Sequence, residues 1–320
     1  MNRAILQRWP KKYGEGKALE NKTAYHTPAL LAESIEALNI RPDGIYIDAT
    51  FGGGGHSGAI LAKLKKGKLI AFDRDIDAQS NIVEDKKLLL IQQDFIHLKN
   101  FLRYLKYIPV DGILADLGIS SHQVDEPTRG FSFRYDAPLD MRMDIQQKKT
   151  ARDIVNEYRA GELQSIFSKY GEIKNARTLA NAIVEARKTR AIETTGQLAA
   201  IAESVAPKNI AKKYLAMVFQ SVRIEVNNEM EGLRSFLSQS LDVLKSGGRL
   251  AVITYHSLED RPVKNFMLTG NFEGDVQKDV FGQPETPWKA VVKKPIIANE
   301  AEVAANPRVR SAKLRVAEKI

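Results

Sequence analysis

The sequence of 320 residues contains no cysteine, and this absence excludes several kinds of chemistry. Without a thiolate there is no disulfide framework, no cysteine-ligated zinc site and no cysteine nucleophile. Methylation of cytosine at C5 commonly uses a cysteine adduct, and zinc deamination needs cysteine ligands, so neither is expected. The five histidines are scattered and indicate no metal site. We therefore expect a protein of the reducing cytoplasm that carries no metal.

Long apolar runs are missing as well. No stretch approaches the roughly 18 residues of a transmembrane helix, and the first residues lack the apolar segment of a secretory signal, so no membrane association is expected. Hydrophobic residues make up 43% of the chain and charged residues 27%, which is typical of a globular protein. The length predicts two domains, or one domain with a large insert.

The net charge of +9 is concentrated at the two ends of the chain. Residues 1–22 carry +4 and residues 289–320 carry +5, whereas the charges of residues 23–288 cancel. Basic ends beside the two tryptophans, Trp9 and Trp288, suit a polyanionic partner. On charge alone, two solvated tails are the alternative.

The order of predicted elements indicates a parallel sheet. Apolar runs predict strands at residues 45–49, 68–73, 88–92, 110–116 and 249–255. Helical patterns separate the first four strands, and only helices are predicted from residue 150 to Lys245, where Ser246, Gly247 and Gly248 end the last one. We predict an α/β protein with a doubly wound, Rossmann-like sheet and an all-helical inserted domain. The predicted divisions are a basic extension at 1–22, the sheet domain at 23–140 and 216–320, and the insert at 141–215.

A glycine-rich loop follows the first predicted strand. Gly53, Gly55 and Gly58 satisfy the pattern G-x-G-x-x-G between a strand and a helix, where a ligand must approach the backbone closely. Asp73 ends the second strand, at the position where a carboxylate accepts hydrogen bonds from the ribose of an adenosine cofactor. Nicotinamide dinucleotides and S-adenosylmethionine both meet this description. Acids at the ends of four strands favour the cationic sulfonium over a pyrophosphate: Asp48, Asp73, Asp94 and Asp116.

Six ordered blocks resemble one known family. They are TFGGGGHS (50–57), DRD (73–75), DGILADLGISS (111–121), RGFSF (129–133), LDMRMD (139–144) and HSLEDR (256–261). Together they are similar to the bacterial 16S ribosomal RNA (cytosine-N4) methyltransferase family, also called MraW, over residues 25–320. The resemblance implies a class I methyltransferase fold and S-adenosylmethionine as methyl donor. It also implies methylation of the exocyclic amine of a decoding-site cytidine, in the cytoplasm.

The resemblance also implies functional residues. By matching positions, the cofactor contacts fall on Gly54, Gly55, His56, Asp73, Phe95, Asp116 and Gln123. Asp116, at the end of the fourth strand, is the candidate for holding either the acceptor amine or the sulfonium region, and hence the candidate catalytic residue. Because the cytosine amine is a poor nucleophile, its orientation matters more than a full general base.

The segment 129–144 is the expected substrate wall. Its aromatic residues Phe131, Phe133 and Tyr135 are candidates for stacking on an unstacked base, and Arg129, Arg134 and Arg142 for contacting phosphates. A buried corner with internal ion pairs is the alternative. His256 and Ser257 follow the fifth strand and are expected at the same edge of the sheet. The expected partner is 16S ribosomal RNA or the small ribosomal subunit, bound by a monomer or a homodimer. Two other functions remain open, a nicotinamide-dependent dehydrogenase and a non-catalytic RNA-binding protein.

Overall fold

The computed structural model describes residues 28–320, so the predicted basic extension at 1–22 lies outside the described residues. The strands are β1 (Ile45–Asp48), β2 (Lys68–Phe72), β3 (Leu88–Ile91), β4 (Val110–Asp116), β5 (Leu244–Thr254), β6 (Gln277–Lys278), β7 (Pro284–Glu285), β8 (Trp288–Ala290), β9 (Ile296–Ile297) and β10 (Lys313–Lys319). The helices are α1 (Leu31–Leu38), α2 (Gly55–Lys63), α3 (Leu98–Leu105), α4 (Ser121–Asp125), α5 (Ala151–Glu157), α6 (Ala160–Gly171), α7 (Ala176–Thr189), α8 (Thr195–Val205), α9 (Ala211–Val226), α10 (Glu229–Val243), α11 (Ser257–Thr269) and α12 (Glu300–Ala305).

One sheet organises the molecule. Its strand order is β3-β2-β1-β4-β5-β10-β8, with β9 beside β10. Strands β1 to β5 are parallel, and β10 runs antiparallel to both β5 and β8. In the doubly wound dinucleotide-binding sheet, order 3-2-1-4-5 continues with a sixth strand and no such reversal. The reversed strand beside β5 is the arrangement of class I methyltransferases, and the predicted fold class is confirmed.

Apolar strands buried on both faces explain why this sheet forms. Ile47, Ile70 and Ile113 are completely buried in the three central strands. Helices α3, α10 and α11 contribute to the core on one face, and α1 and α2 to the core on the other. Covering both faces with helices is what continuous apolar strands require, because neither face of such a strand can be left in water.

Five helices between β4 and β5 form a lobe with its own core. The buried residues of α5 to α9 pack together, with Phe167 and Tyr214 among the largest. This core also takes in Phe131 and Met141, and it extends to Val226 at the end of α9. Helix α9 therefore crosses the division expected at residue 215, and the exact limits of the insert stay a prediction.

The end of α10 differs from the prediction. The helix ends at Val243 and the chain passes directly into β5, so Ser246, Gly247 and Gly248 are not its cap. Gly247 has φ +75°, and the pairing of β4 with β5 shifts register between Val110 and Gly112. The glycines form an irregularity at the start of the strand, where extra residues need a left-handed backbone.

The basic segment 289–320 belongs to the sheet rather than to a tail. Leu314, Val316 and Ala317 of β10 are buried. Arg315 forms a two-point ion pair with Asp260, at 2.6 and 3.0 Å. The expectation of a free basic arm, or of a solvated tail, is wrong for these residues because β10 fills the gap between β5 and β8. From residue 28 onward, no helix has both the length and the apolar surface that crossing a bilayer requires.

Candidate active site

A cavity of about 660 Å³ opens at the carboxyl edge of the sheet. Its volume lies within the roughly 300–1,000 Å³ of small-molecule sites. It brings together ten of the predicted residues: Gly53, Gly55, His56, Asp73, Asp94, Phe95, Asp116, Gln123, Arg134 and His256. It does not include six others among its lining residues: Gly54, Arg129, Phe131, Phe133, Arg142 and Ser257. Among residues 28–320 there is no group of three or more metal-ligating side chains.

The glycine loop needs glycine at positions partly different from the predicted motif. Gly52 and Gly54 have φ +49° and +76°, a backbone region that other residues rarely adopt. A Cβ on Gly55 would lie 2.2 Å from Cγ of Pro28. Gly58 has open space around its Cβ position and lies in α2, so its place in the G-x-G-x-x-G pattern is coincidental.

Asp73 is held by the loop that it faces. Its carboxylate accepts the N–H of Gly52 at 2.7 Å and the N–H of Asp75 at 2.8 Å. A carboxylate offers about four acceptor sites, so two remain for a ligand in the cavity. Burial raises the pKa of Asp73 to about 6, against the two backbone hydrogen bonds that lower it. This is the geometry for accepting both hydroxyls of a ribose.

Asp116 lies at the end of β4 between two partners. The hydroxyl of Tyr255 donates to one carboxylate oxygen of Asp116 at 2.8 Å. Nδ1 of His56 is 3.9 Å from the other oxygen. Burial raises the pKa of Asp116 to about 6, although His56 and Tyr255 oppose the shift. The side chain keeps 22% of its surface exposed, toward the cavity.

His56 is a buried residue with a defined hydrogen bond. Its Nε2 lies 3.1 Å from the carbonyl oxygen of Ala29, and a carbonyl can only accept. Nε2 therefore carries the proton, which leaves Nδ1 as the atom facing Asp116. His56 fixes the start of α2 against the segment before α1 and closes one wall of the cavity.

Tyr255 is the site residue that sequence reasoning missed. Its backbone N–H donates to Glu259 at 3.0 Å, and burial together with Asp116 raises its pKa well above the usual value. The hydroxyl therefore stays a donor. His256, next in the chain, has Nε2 3.2 Å from the buried Glu259. The position of Tyr255, directly before the predicted His256 at the end of the fifth strand, could have identified it as a site residue.

Two of the four acids expected around the donor have other roles. Asp48 is completely buried, accepts the Ser57 hydroxyl at 2.6 Å and does not line the cavity. Asp94 caps the short turn after β3 by accepting the N–H of Ile96, and its other oxygen accepts from Arg74. Of the four acids, Asp48 lies outside the cavity lining and Asp94 lines it but pairs with Arg74, so Asp73 and Asp116 are the two that line it without an arginine partner.

Gln123 and Arg129 converge on Asp75. Gln123 donates to Asp75 at 2.6 Å, while its amide oxygen accepts the N–H of Ser120. Arg129 donates to Asp75 and Asp77 and to two backbone carbonyls of the segment 129–144. Both terminal nitrogens of the Arg129 guanidinium are thus used in fastening that segment to the end of β2.

Four other predicted substrate residues do not line the cavity. Phe131 is 8% exposed and packs in the helical core, and Phe133 packs edge-on against Phe219 at 5.3 Å. Arg142 forms a two-point ion pair with Asp140 and donates to two further carbonyls. Ser257 is exposed at the start of α11. The buried-corner alternative describes these residues of the segment better than a stacking surface does.

Arg74 joins the helical lobe to the cavity, which sequence reasoning did not foresee. It donates to Asp94 at 2.8 Å and to the carbonyl of Asn227 at 3.1 Å. The side chain of Asn227 in turn holds the backbone of Met141 and Met143. The position of Arg74 in the block DRD, between the acids Asp73 and Asp75, could have indicated a role at this site.

Comparison with known proteins decides the family. The model of the MraW methylase family matches residues 23–320. The chain belongs to the MraW methylase family. It is 52% identical over 303 residues to the ribosomal RNA small subunit methyltransferase H of Parabacteroides distasonis, covering 94% of this chain and 99% of that protein. It is 54% identical over 291 residues to the protein of the same name from Flavobacterium psychrophilum, covering 91% and 100%.

Similarity to solved structures is weaker. An rRNA methylase from Streptococcus thermophilus has 14% identity and a TM-score of 0.38, with 91% of this chain and 93% of that chain covered. NSun6 from Pyrococcus horikoshii has 12% identity and a TM-score of 0.42, with 91% and 52% covered.

Family membership confirms the resemblance drawn from the six blocks. The donor of this MraW methylase is S-adenosylmethionine. Asp73 fits a ribose, and Asp116 is an acid beside the glycine loop, where a cation is stabilised. The dehydrogenase alternative is wrong, because the family is one of methylases.

Proposed function

We propose that this chain methylates the N4 exocyclic amine of a cytidine in the decoding region of 16S ribosomal RNA, in the cytoplasm. The relatives named ribosomal RNA small subunit methyltransferase H support the RNA substrate. The resemblance in the six blocks supports the nucleotide and the atom. The observation that carries the proposal is the carboxylate of Asp116, which faces a methyl-donor cavity with one oxygen already oriented by Tyr255.

Orientation is the main requirement for this acceptor. The amine lone pair of cytosine is delocalised into the ring, so the amine attacks only when it is turned toward the methyl group. S-adenosylmethionine supplies an electrophilic methyl group on a sulfonium. One oxygen of Asp116 accepts from Tyr255, and the other is open to accept an N–H of the amine. Correct placement of two reactants contributes up to about 7–11 kcal/mol in favourable systems.

The proton released from the amine needs an acceptor close to the nitrogen. Asp116, with a pKa of about 6, is basic enough to hold that proton transiently at neutral pH. The lack of cysteine excludes attack through a C6 adduct and fits direct methylation of an amine. Asp116 is therefore both the orienting group and the first proton acceptor in this proposal.

The helical lobe is proposed as the RNA-recognition part of the molecule. The segment 150–215 carries eleven basic and seven acidic residues. Arg74 and Arg129 fasten this lobe and the segment 129–144 to the donor cavity, so RNA bound to the lobe is placed at a fixed distance from the donor. The basic extension at 1–22 stays a prediction, as does the monomeric or homodimeric state.

Labelled S-adenosylmethionine incubated with small-subunit RNA, or with subunits from a strain that lacks this gene, tests the proposal. We expect label in N4-methylcytidine, identified by mass analysis of the nucleosides. Asp116→Asn should lower kcat by at least about 100-fold, because general acid–base and orienting groups contribute about 10²–10⁴-fold. Label only at another atom would refute the proposed acceptor, and no label would favour a non-catalytic RNA-binding protein.

A further inference from the structure

The segment 129–144 presents two side chains that its internal contacts leave available. Four arginines and no lysine line the cavity among the described residues: Arg74, Arg134, Arg223 and Arg308. Arg74 pairs with Asp94, Arg223 with Glu229 and Arg308 with Asp125. In the part of the chain that the structure describes, the guanidinium of Arg134 alone among these four has no protein acceptor; only its backbone N–H is bonded, to Ser132. Its neighbour Tyr135 has 58% of its surface exposed.

The backbone next to this exposed pair is anchored to the start of α8. The buried hydroxyl of Thr195, at the start of α8, donates to the carbonyl of Tyr135 at 2.7 Å and accepts the N–H of Ala137 at 3.1 Å. The N–H of Gly196 donates to Asp136 at 2.9 Å, and any Cβ on Gly196 would lie 2.7 Å from that carboxylate. An aromatic ring on a fixed backbone loses little conformational entropy when a ligand stacks on it.

The chemistry of the reaction determines what lies at the mouth of the cavity. A cytidine whose amine reaches Asp116 must leave its base stack, and its neighbours in the RNA then have an unstacked face. Single-stranded nucleic acids are bound by aromatic rings that stack on bases and by arginines that meet phosphates. Arg134 lines the cavity, and Tyr135, the next residue, is exposed just outside that lining, where the nucleotide next to the target would lie.

Building on the proposed function, we propose that Arg134 and Tyr135 form a subsite for the nucleotide that flanks the methylated cytidine. Arg134 contacts a phosphate of the RNA backbone, and the ring of Tyr135 stacks on the flanking base. Of the six candidates in the segment 129–144, the other four are committed elsewhere. Arg129 and Arg142 are saturated by protein acceptors, and Phe131 and Phe133 pack against the lobe.

Binding of radiolabelled, undermethylated small-subunit RNA at several salt concentrations, with S-adenosylhomocysteine present, tests the subsite. We expect Arg134→Gln to weaken binding and to reduce the slope of log affinity against log salt by about 0.7, the value for one single-strand phosphate contact. Tyr135→Ala should weaken binding about 5- to 150-fold, which corresponds to the ~1–3 kcal/mol of one stacked base. Tyr135→Phe should bind like the wild type, and all three variants should bind S-adenosylhomocysteine normally.

The chain offers a matched control in Arg103 and Tyr104. This adjacent arginine and tyrosine are also exposed, the tyrosine by 57%, but they lie on α3 and do not line the cavity. Arg103→Gln and Tyr104→Ala should leave RNA affinity and salt slope unchanged. Equal losses in the control pair, an unchanged slope in Arg134→Gln, or a defect seen with assembled subunits but not with RNA would overturn the subsite. A wild-type chain that neither binds nor methylates RNA would overturn the proposed function as well, whereas variants equal to the wild type would overturn the subsite alone.

Discussion

Single residues in the cavity divide into those that face the ligand and those that hold them. Asp73 and Asp116 face the cavity, and each is held by protein donors on part of its carboxylate. Tyr255 donates to Asp116, and Gln123 and Arg129 both donate to Asp75, two residues after Asp73. Several other acids of the cavity lining are paired with arginines instead: Asp94 with Arg74, Asp75 and Asp77 with Arg129, and Glu229 with Arg223.

Asp73→Asn should weaken binding of S-adenosylhomocysteine about 10- to 150-fold. The reason is the loss of charge-assisted hydrogen bonds to the ribose, worth about 1.5–3 kcal/mol. Titration calorimetry measures the effect. Asp242→Asn is the control, because Asp242 is a half-exposed acid that pairs with Lys99 outside the cavity. Unchanged affinity in Asp73→Asn would contradict the ribose contact.

The affinity for S-adenosylmethionine should depend on pH near 6. Burial raises the pKa of both Asp73 and Asp116 to about 6, and the donor binds their ionised forms. Affinity should therefore be constant above about pH 7 and fall below pH 6, by up to about 10-fold per unit for each carboxyl. Calorimetry from pH 5 to 8 measures it, and a profile that is flat across this range would contradict the assignment of the two acids.

The same two acids should make the free energy of unfolding fall as pH rises, whereas donor affinity rises with pH. Their folded-state pKa values lie above the ordinary value of 3.8, so the folded protein binds more protons than the unfolded chain between these limits. Their contribution to the free energy of unfolding therefore falls as pH rises from about 4 to about 6. Denaturant unfolding of the wild type and of Asp116→Asn across this window isolates the contribution, which should vanish for the substituted carboxyl.

At the scale of elements, the glycine loop and α2 form one functional unit. Gly54→Ala should destabilise the protein by about 1–2 kcal/mol because its φ of +76° is unfavourable for alanine, and its Cβ would lie 3.0 Å from the ring of Phe51. Donor affinity should fall as well. Gly58→Ala is the matched control and should stabilise α2 by up to about 1 kcal/mol, since nothing lies within 4 Å of the added Cβ. Thermal unfolding and calorimetry would contradict this account if the two substitutions behaved alike.

Local sequence patterns predicted those features of the fold that depend on a single strand or turn. β4 has the predicted limits, and Asp73 follows β2 as expected. Contacts between distant segments were not predictable: the saturation of Arg129 depends on Asp75 lying beside it, fifty-four residues earlier in the chain. Phe131 illustrates the same limit, because an aromatic residue in a polar segment has the same local sequence whether it faces solvent or the core.

At the scale of the whole molecule, the sheet domain and the helical lobe are joined around the donor cavity. Arg74 links the helical lobe to β3 through Asn227 and Asp94, and the lobe's own residues line one side of the cavity. The C-terminal segment closes the sheet through β10, and its Arg308 reaches Asp125 of α4. The donor cavity is therefore an assembly of parts that are far apart in the chain.

Removal of residues 289–320 should abolish folding rather than only weaken RNA binding. The deletion removes β10, which pairs with β5 along six residue pairs, and exposes the apolar edge of the sheet. Circular dichroism and limited proteolysis of the truncated chain measure the effect. A truncated protein that folds and binds S-adenosylhomocysteine with normal affinity would show that this segment is a separable arm.

The most direct test of this account is a crystal structure of the protein with S-adenosylhomocysteine and cytidine. We expect the ribose hydroxyls within about 2.6–3.2 Å of Asp73, the adenine beside Phe95, and the cytidine N4 within hydrogen-bond distance of Asp116. A ligand whose ribose lies away from Asp73, or a cytidine whose amine points away from Asp116, would contradict it.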